Sequence, residues 1–175
     1  MAEIITTGGT FDKLLRDPLN QDEYEFPGVT HVFEALKRRR YDVRPHLIRS
    51  LMWIDSLYME DEHFQQIIAA CRSSREKQIV VIHGTDKMIQ SARLVEESFI
   101  AAGESTDGQS IVFTGAMEPF SVNPAHASYN LFHALEVAEE RTGVHIAMDG
   151  EVFDPRNVQK NYDTLMFERT PASDE

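Results

Sequence analysis

The sequence predicts an α/β fold with three layers: a doubly wound, mostly parallel sheet of about five strands, covered by helices on both faces. The first observation is a set of short apolar runs, at Ile4-Ile5, 79–82 and 111–113, each followed by a turn that contains glycine. The second is that amphipathic helical patterns alternate with these runs, as they do where crossover helices join parallel strands. The third is that the run 79–82 is apolar at every position, which is typical of a central strand covered on both faces.

Five strands are expected from the apolar runs and from the residues that interrupt them. Pro45 places the second strand at an edge of the sheet, because proline cannot donate a hydrogen bond to a neighbouring strand. The predicted strands are 3–7, 42–48, 78–83, 110–114 and 144–148.

Four helices are expected where apolar residues recur at helical spacing. Their apolar faces are predicted to form the core rather than a cofactor site. The predicted helices are 30–40, 60–73, 86–102 and 125–141. The apolar faces of the first three are Val29, Val32, Phe33 and Leu36, then Phe64, Ile67, Ile68 and Cys71, then Met88, Ala92, Val95 and Phe99.

The remaining segments lack such a pattern. The stretch 12–28 is polar and contains Pro18 and Pro27, so we expect an irregular lid or binding loop there. We also expect a loop at 49–59, a short hairpin or extended arm at 150–161 and a frayed tail at 168–175. Residues 1–175 contain no linker or internal repeat and are expected to form a single domain.

Composition and charge narrow the possible functions. The chain has 175 residues, 42% of them hydrophobic, a mean hydropathy of −0.36 and a net charge of −12. The negative charge disfavours a nucleic-acid partner, and no apolar run approaches the roughly 20 residues that a membrane span needs. The N-terminus lacks the basic and apolar regions of a secretory signal, so a cytoplasmic location is expected. Cys71 is the single cysteine and is expected to be a core residue.

The sequence predicts no cofactor. The patterns G-x-x-x-x-G-K-[ST] and G-x-G-x-x-G, which bind the phosphates of nucleotides, are both absent. The seven histidines show no H-x-x-x-H or H-x-H spacing, so a metal site is not expected either. His83 is expected to be a strand-end residue that packs or bonds locally.

Three glycine turns point to a shared crevice. Thr7-Gly8-Gly9-Thr10, His83-Gly84-Thr85-Asp86 and Thr114-Gly115-Ala116-Met117 each follow an apolar strand. Parallel strands end at the same edge of a sheet, and open α/β sheets bind their ligands at that edge. Glycine lets the main chain approach a ligand, and the threonine that follows it in the first two turns supplies a hydroxyl that can become a nucleophile.

These motifs carry a family resemblance. The stretches T-T-G-G-T-F, H-G-T-D-K-M, T-G-A-M-E-P and R-N-V-Q-K-N occur in this order between residues 3 and 161. The chain therefore resembles the N-terminal catalytic domain of the bacterial-type L-asparaginases, in a short, single-domain branch. The resemblance implies the α/β fold of that domain and the hydrolysis of L-asparagine to L-aspartate and ammonia.

The resemblance also implies roles for individual residues. Thr10 takes the position of the nucleophile that forms an acyl-enzyme, and Thr85, Asp86 and Lys160 match a Thr-Lys-Asp group. Ser56 matches a serine that holds the substrate α-carboxylate, while Asp86, or else Asp55, is the candidate for the α-ammonium. Tyr24 matches a lid tyrosine. The residues expected to contact the substrate are Gly9, Asp55, Ser56, Thr85, Asp86 and Ala116.

The chain departs from the family pattern at two residues and in its length. Leu57 stands where many members have glutamine, and Glu118 stands where the third motif commonly has arginine. A chain of 175 residues has no room for the second, smaller domain of the longer members. We therefore expect a higher Michaelis constant than in those enzymes.

The sequence leaves two alternative functions open and also predicts an oligomeric state. The first alternative is a non-catalytic amino-acid sensor on the same scaffold, and the second is an amidotransferase component that acts on aminoacylated transfer RNA. The net charge of −12 disfavours the second. A homodimer or homotetramer is expected, with Tyr129, Phe132 and Phe153 on the interface because they are more apolar than one core face requires.

Overall fold

The computed structural model describes residues 1–17, 20–38, 45–103, 106 and 108–170. In chain order the strands are β1 (Ala2–Gly8), β2 (Leu14–Asp17), β3 (Asn20–Glu25), β4 (Leu47–Ile54), β5 (Gln78–Ile82), β6 (Ser110–Thr114), β7 (Gly143–Met148), β8 (Glu151–Phe153), β9 (Val158–Lys160) and β10 (Phe167–Arg169). The α-helices are α1 (Val32–Arg38), α2 (Asp61–Ser73), α3 (Met88–Ala101) and α4 (Pro124–Glu140). Short 3-10 helices lie at Thr10–Asp12, Ser56–Tyr58 and Pro155–Asn157.

A sheet of six strands forms the middle layer, in the order β4-β1-β5-β6-β7-β8. The first five of these strands are parallel, and β8 is antiparallel to β7. The predicted α/β fold with a mostly parallel sheet is confirmed, and the antiparallel strand at one edge is an addition to it. From β1 the chain continues to β4 on one side and then to β5 on the other. The topology therefore changes direction between β1 and β5, which is where open α/β sheets form a ligand crevice.

Two apolar cores lie on opposite faces of the sheet. Ile5 and Val81 belong to the core that contains the buried residues of α2 and α3. Their neighbours Ile4 and Val80 belong to the core that contains those of α1 and α4. Successive side chains of a strand point to opposite faces, so a strand covered on both sides must be apolar at consecutive positions. This explains the uninterrupted apolar run of β5.

The helices agree with the sequence patterns except for the first one. The helices predicted at 60–73, 86–102 and 125–141 are confirmed to within two residues at each end. In α1, Val32 and Ala35 are buried but Phe33 is exposed, and Val29, which precedes the helix, is exposed as well, so the predicted apolar face is wrong for Phe33 and Val29. The predicted end of this helix at 39–40 lies outside the described residues. None of the helices in the described part of the chain is long and apolar enough to cross a membrane.

The second strand of the sequence prediction lies further along the chain than expected. It begins at Leu47 rather than at 42, and it continues through Ile54 into the predicted loop at 49–59. Residues 42–44 lie outside the part of the chain that the structure describes. The strand pairs with β1 and occupies the edge of the sheet, as Pro45 indicated, although Pro45 itself precedes it.

Strands also form in the segments 12–28 and 150–161. β2 and β3 pair as an antiparallel hairpin within 12–28, so the expectation of an irregular loop is wrong there. In the arm at 150–161, β8 joins the central sheet, whereas β9 pairs with β10. Glu168 and Arg169 belong to β10, so the predicted frayed tail cannot begin before Thr170, and residues 171–175 lie outside the described ranges.

Candidate active site

The three glycine turns pack against one another at the carboxyl ends of the parallel strands. Gly9 has a φ of +68°, and a Cβ atom built on it would lie 2.5 Å from the backbone nitrogen of Gly84. A Cβ on Gly84 would clash with the side chain of Ser56, and one on Gly115 would clash with the carbonyl oxygen of His83. Only glycine allows main chains to approach this closely. The turns that were predicted separately therefore pack together at one edge of the sheet, where the topology places a ligand crevice beginning at the ends of β1 and β5.

Lys160 joins this crevice from a distant part of the chain. It is the last residue of β9, and its Nζ atom lies 2.9 Å from Oγ1 of Thr85 and 2.7 Å from Oδ1 of Asp86. The Lys160 side chain is only 7% exposed, and its Nζ atom lies 5.1 Å from the ring centroid of Tyr162. A cation, a hydroxyl and a carboxylate are thus held in direct contact in a partly desolvated position.

Thr10 follows Gly9 in the adjacent turn. It opens the 3-10 helix Thr10–Asp12, and the Gly9 N–H donates to the carbonyl of Ile54 on β4 at 3.0 Å. Asp12, at the end of the same turn, is fully buried, and its Oδ1 atom accepts a hydrogen bond of 2.8 Å from the backbone N–H of His31. These bonds tie the turn of Thr10 to β4 on one side and to the segment before α1 on the other.

Asp55 and Ser56 follow the end of β4. Asp55 caps the 3-10 helix Ser56–Tyr58 by accepting the N–H of Leu57 at 3.0 Å, and its other carboxylate oxygen is ion-paired with Lys13. Ser56 is fully buried, and its Oγ atom finds no hydrogen-bond partner among the described residues. A buried hydroxyl without a partner carries a desolvation cost that a polar ligand would relieve.

The charges around Asp55 act on its ionisation. Partial burial raises the pKa of Asp55, but the hydrogen bonds from Lys13 and from the Leu57 N–H lower it by more. The positive charges of Lys13 and Lys160 lower the pKa further, and the net result lies below the ordinary value. Asp55 is therefore an anion that stands in the field of both lysines.

The other residues expected at the site lie in different surroundings. Tyr24 is 39% exposed on β3, and its ring centroid lies 5.8 Å from Nζ of Lys13. Ala116 is buried within the core shared with α4. Leu57 is exposed beside Ser56. The functional roles assigned to these residues stay predictions.

His83 is held in a local structural arrangement. It is completely buried, its Nδ1 atom lies 2.7 Å from the carbonyl oxygen of Gly84, and its Nε2 atom lies 2.8 Å from Oγ of Ser91. Burial lowers the pKa of His83 to about 4. A neutral ring donates from Nδ1 to the Gly84 carbonyl and accepts the Ser91 hydroxyl at Nε2, which leaves neither nitrogen for a reaction.

Two features of the site have no place among the residues predicted from the sequence. Lys13 is one, although it stands only three positions after Thr10. The other is Asn130 of α4, which is fully buried, donates to the Gly115 carbonyl at 3.0 Å and accepts the N–H of Asp149 at 3.0 Å. Asn130 thereby fixes the third glycine turn to the end of β7. A buried asparagine on an apolar helix face is the signal that could have identified it.

Residues 3–168 match the family described as Asparaginase, N-terminal. The chain belongs to this family. This asparaginase-family domain is 31% identical over 121 residues to a probable periplasmic L-asparaginase of Haemophilus influenzae. The aligned segment covers 65% of this chain and 32% of that protein.

Solved asparaginases share the fold of this domain. The thermostable L-asparaginase of Thermococcus kodakarensis superimposes with a TM-score of 0.75 at 19% identity, over 96% of this chain and 50% of that one. L-asparaginase I of Vibrio cholerae superimposes with a TM-score of 0.74 at 21% identity, over 96% of this chain and 50% of that one. A probable cytoplasmic L-asparaginase of Campylobacter jejuni superimposes with a TM-score of 0.72 at 24% identity, over 91% of this chain and 49% of that one. The chain spans about half the length of these relatives, and the likeness establishes the fold.

Among the described residues, no three histidine, cysteine, aspartate or glutamate side chains lie close enough together to hold a metal ion.

Proposed function

We propose that this protein is an amidohydrolase that converts L-asparagine to L-aspartate and ammonia through an ester on Thr10. One observation supports this more than any other: the Lys160 ammonium is within hydrogen-bond distance of both Thr85 and Asp86, on the turn that packs against Gly9, the residue before Thr10. Family membership adds to it. A hydroxyl becomes a useful nucleophile or activates water when such charged neighbours stabilise its transient loss of a proton.

In the first half of the proposed reaction, Oγ1 of Thr10 attacks the carbon of the side-chain amide. The carbon–nitrogen bond breaks, the Thr10 proton passes to the leaving nitrogen, and ammonia departs. In this step, main-chain N–H groups of the turns that follow Gly9 and Gly84 stabilise the negative oxygen of the tetrahedral intermediate, which is usually a large contribution to acyl transfer.

In the second half, water hydrolyses the ester. Thr85, held by Lys160 and Asp86, orients the water, whose proton passes to the departing oxygen of Thr10. The water oxygen joins the acyl carbon, the bond to Thr10 breaks, and the proton returns to Thr10. The products are L-aspartate and the unmodified protein.

Release of ammonia from L-asparagine by the purified protein tests this function. We expect Thr10→Ala and Thr85→Val each to reduce turnover by about a thousandfold or more without changing the thermal unfolding temperature, because residues that act as one catalytic unit each carry most of its effect. Thr142→Val is the matched control, since Thr142 is exposed and precedes β7 at the opposite end of the sheet. Near-wild-type ammonia release by a folded Thr10 or Thr85 variant would contradict the assignment.

A second candidate function is an amino-acid-binding module without catalysis. It is favoured by the ion pairs of Asp55 with Lys13 and of Asp86 with Lys160, which occupy both carboxylates and keep the lysines as hydrogen-bond donors. Binding of L-asparagine without any release of ammonia would select this function over hydrolysis.

A further inference from the structure

We propose that Lys13 binds the carboxylate of the substrate and makes the crevice selective for amides that carry a free carboxylate beside an ammonium group. The proposal rests on the proposed function for the reaction, but it concerns recognition and can be tested by binding alone.

The main chain of Lys13 is fixed at the edge of the crevice. Its N–H donates to the carbonyl of Thr10 at 3.3 Å, and its carbonyl accepts the hydroxyl of Ser121 at 3.0 Å. The backbone of Lys13 is thus coupled directly to the turn of the candidate nucleophile. Only the flexible side chain is free to change partners, and its four-carbon stem allows the ammonium to move while the turn stays in place.

The Lys13 ammonium lies between the hairpin and the end of β4. It is ion-paired with Asp55, and its Nζ atom lies 5.8 Å from the ring centroid of Tyr24. The side chains of Lys13 and Asp55 are 19% and 22% exposed, so both charges are partly desolvated yet reachable from solvent. Charges in such positions interact more strongly than fully exposed ones.

This ion pair is complementary to a free amino acid. Asp55 is followed directly by Ser56, whose buried hydroxyl has no partner in the described part of the chain. A zwitterion that enters here places its carboxylate against Lys13 and Ser56 and its ammonium against Asp55. One ion pair within the protein is then replaced by two between protein and ligand, and the unpaired hydroxyl gains a hydrogen bond. An amide without a free carboxylate would leave Lys13 paired with Asp55. It would gain neither the additional ion pair nor the hydrogen bond to Ser56.

A purely structural role for Lys13 gives a different expectation. If its ion pair with Asp55 served only to hold the hairpin beside β4, removing the ammonium would weaken all substrates alike, whatever their charge. The comparison of a charged substrate with a neutralised one therefore separates recognition from architecture.

The test compares L-asparagine with L-asparagine methyl ester, whose α-carboxylate is neutral. For Lys13→Met we expect KM for L-asparagine to rise by about 10- to 100-fold, which is the usual effect of losing a hydrogen bond to a charged group. The kcat/KM for the ester should change by less than about threefold, and Lys13→Arg should recover part of the loss for L-asparagine because it retains the charge. Lys77→Met, at the amino end of β5, is the matched control.

Binding measured in the Thr10→Ala background separates this proposal from the proposed function. Calorimetry should show weaker binding of L-asparagine, but unchanged binding of the ester, when Lys13→Met is added. Equal losses for both ligands, or no loss for either, would overturn the role of Lys13 even if ammonia release is normal. If Lys13→Met selectively loses L-asparagine binding but the wild type releases no ammonia, the proposed role of Lys13 stands and hydrolysis is refuted. A wild type that neither binds nor hydrolyses L-asparagine would refute both.

Discussion

His83 shows how one residue of the second glycine turn serves structure rather than chemistry. Its ring bridges the Gly84 carbonyl and the Ser91 hydroxyl of α3, and so attaches the turn of Thr85 to the helix that follows it. Because the ring is completely buried, protonation would place an uncompensated charge in the core, and its pKa falls to about 4. The residue therefore links the stability of the fold to pH.

The direction of this linkage follows from the two pKa values. The unfolded chain takes up a proton near the ordinary value of 6.5, whereas folded His83 does so only near 4. Its contribution to stability is complete above about pH 6.5 and is lost as the pH falls toward 4. Between pH 7 and pH 5 we expect His83 alone to lower the free energy of unfolding by about 2 kcal/mol, measurable by urea unfolding.

The variant His83→Gln should remove this part of the pH dependence while keeping a side chain that can donate and accept hydrogen bonds. The difference in unfolding free energy between pH 7 and pH 5 should then shrink by about 2 kcal/mol. His145→Gln, at a partly exposed histidine on β7, is the control variant. An unaltered pH dependence in the His83 variant would show that the buried ring does not resist protonation.

The residues of the site differ in how far the sequence could predict them. Thr85 and Asp86 stand in a short motif, and Lys160 was placed beside them only through a family resemblance. The structure brings Lys160 within 2.9 Å of Thr85 and within 2.7 Å of Asp86. The ion pair of Lys13 with Asp55 joins residues 42 positions apart, and no local pattern encodes it. Such contacts depend on the packing of the hairpin against β4, which appears only in three dimensions.

At the scale of secondary structure, β4 shows why an edge strand is hard to locate. Its sequence places Arg49 and Ser50 between apolar residues, which interrupts the pattern expected of a strand in a three-layer fold. The structure supplies the reason: Arg49 forms an ion pair of 2.6 Å with Glu3 on β1, and Glu3 is almost fully buried. The central strands β5 and β6 contain the uninterrupted apolar runs 79–82 and 111–113, so their sequences predicted them correctly.

The hairpin of β2 and β3 was hidden for a related reason. Its two strands pair only with each other, outside the central sheet, so they do not require the apolar alternation that marks a half-buried strand. Its carboxyl end packs on the site side, where the ring of Phe26 lies 6.3 Å from that of Trp53. A small sheet of this kind is only marginally stable by itself, so its order depends on what it contacts.

We therefore predict that the segment 12–28 acts as a lid that becomes more ordered over a bound amino acid. Amide hydrogen exchange in this segment should slow by about tenfold or more with saturating L-aspartate, since ligand contacts suppress local opening. Exchange at the carboxyl end of α2, near Ser73 and the start of β5 at the opposite edge of the sheet, serves as the internal control. Exchange that is unchanged throughout 12–28 in protein that demonstrably binds L-aspartate would contradict the lid.

At the scale of the whole molecule, the topology decides where the site lies. β1 and β5 are neighbours in the sheet, and the chain leaves them toward opposite sides, so the turns after Gly8 and His83 face each other across the change of direction. The two cores hold these strands from both faces, and β9 then brings Lys160 to the same edge. The crevice is therefore a consequence of strand order, and the side chains at its edge determine which ligand it accepts.

The expected interface between copies of the chain lies on the surface of α4. Phe153 was placed on this surface from the sequence, but it is buried and packs 6.3 Å from Phe167, so it is removed from the interface. Tyr129 remains 54% exposed, with its ring stacked on His133 and its hydroxyl beside Gly150. A large aromatic ring that is held in place and half exposed is a common feature of protein interfaces.

We predict a homodimer as the smallest assembly, with Tyr129 at the interface. Light scattering at low micromolar concentration should give twice the chain mass of 20.0 kDa. Tyr129→Ser should weaken dimerisation by about tenfold or more, because aromatic residues at an interface carry a large share of its binding energy. Ile100→Ser is the matched control, since Ile100 is exposed on α3, on the opposite face of the sheet. A mass near 20.0 kDa for protein that still releases ammonia from L-asparagine would show that neither the fold nor the activity requires a second copy.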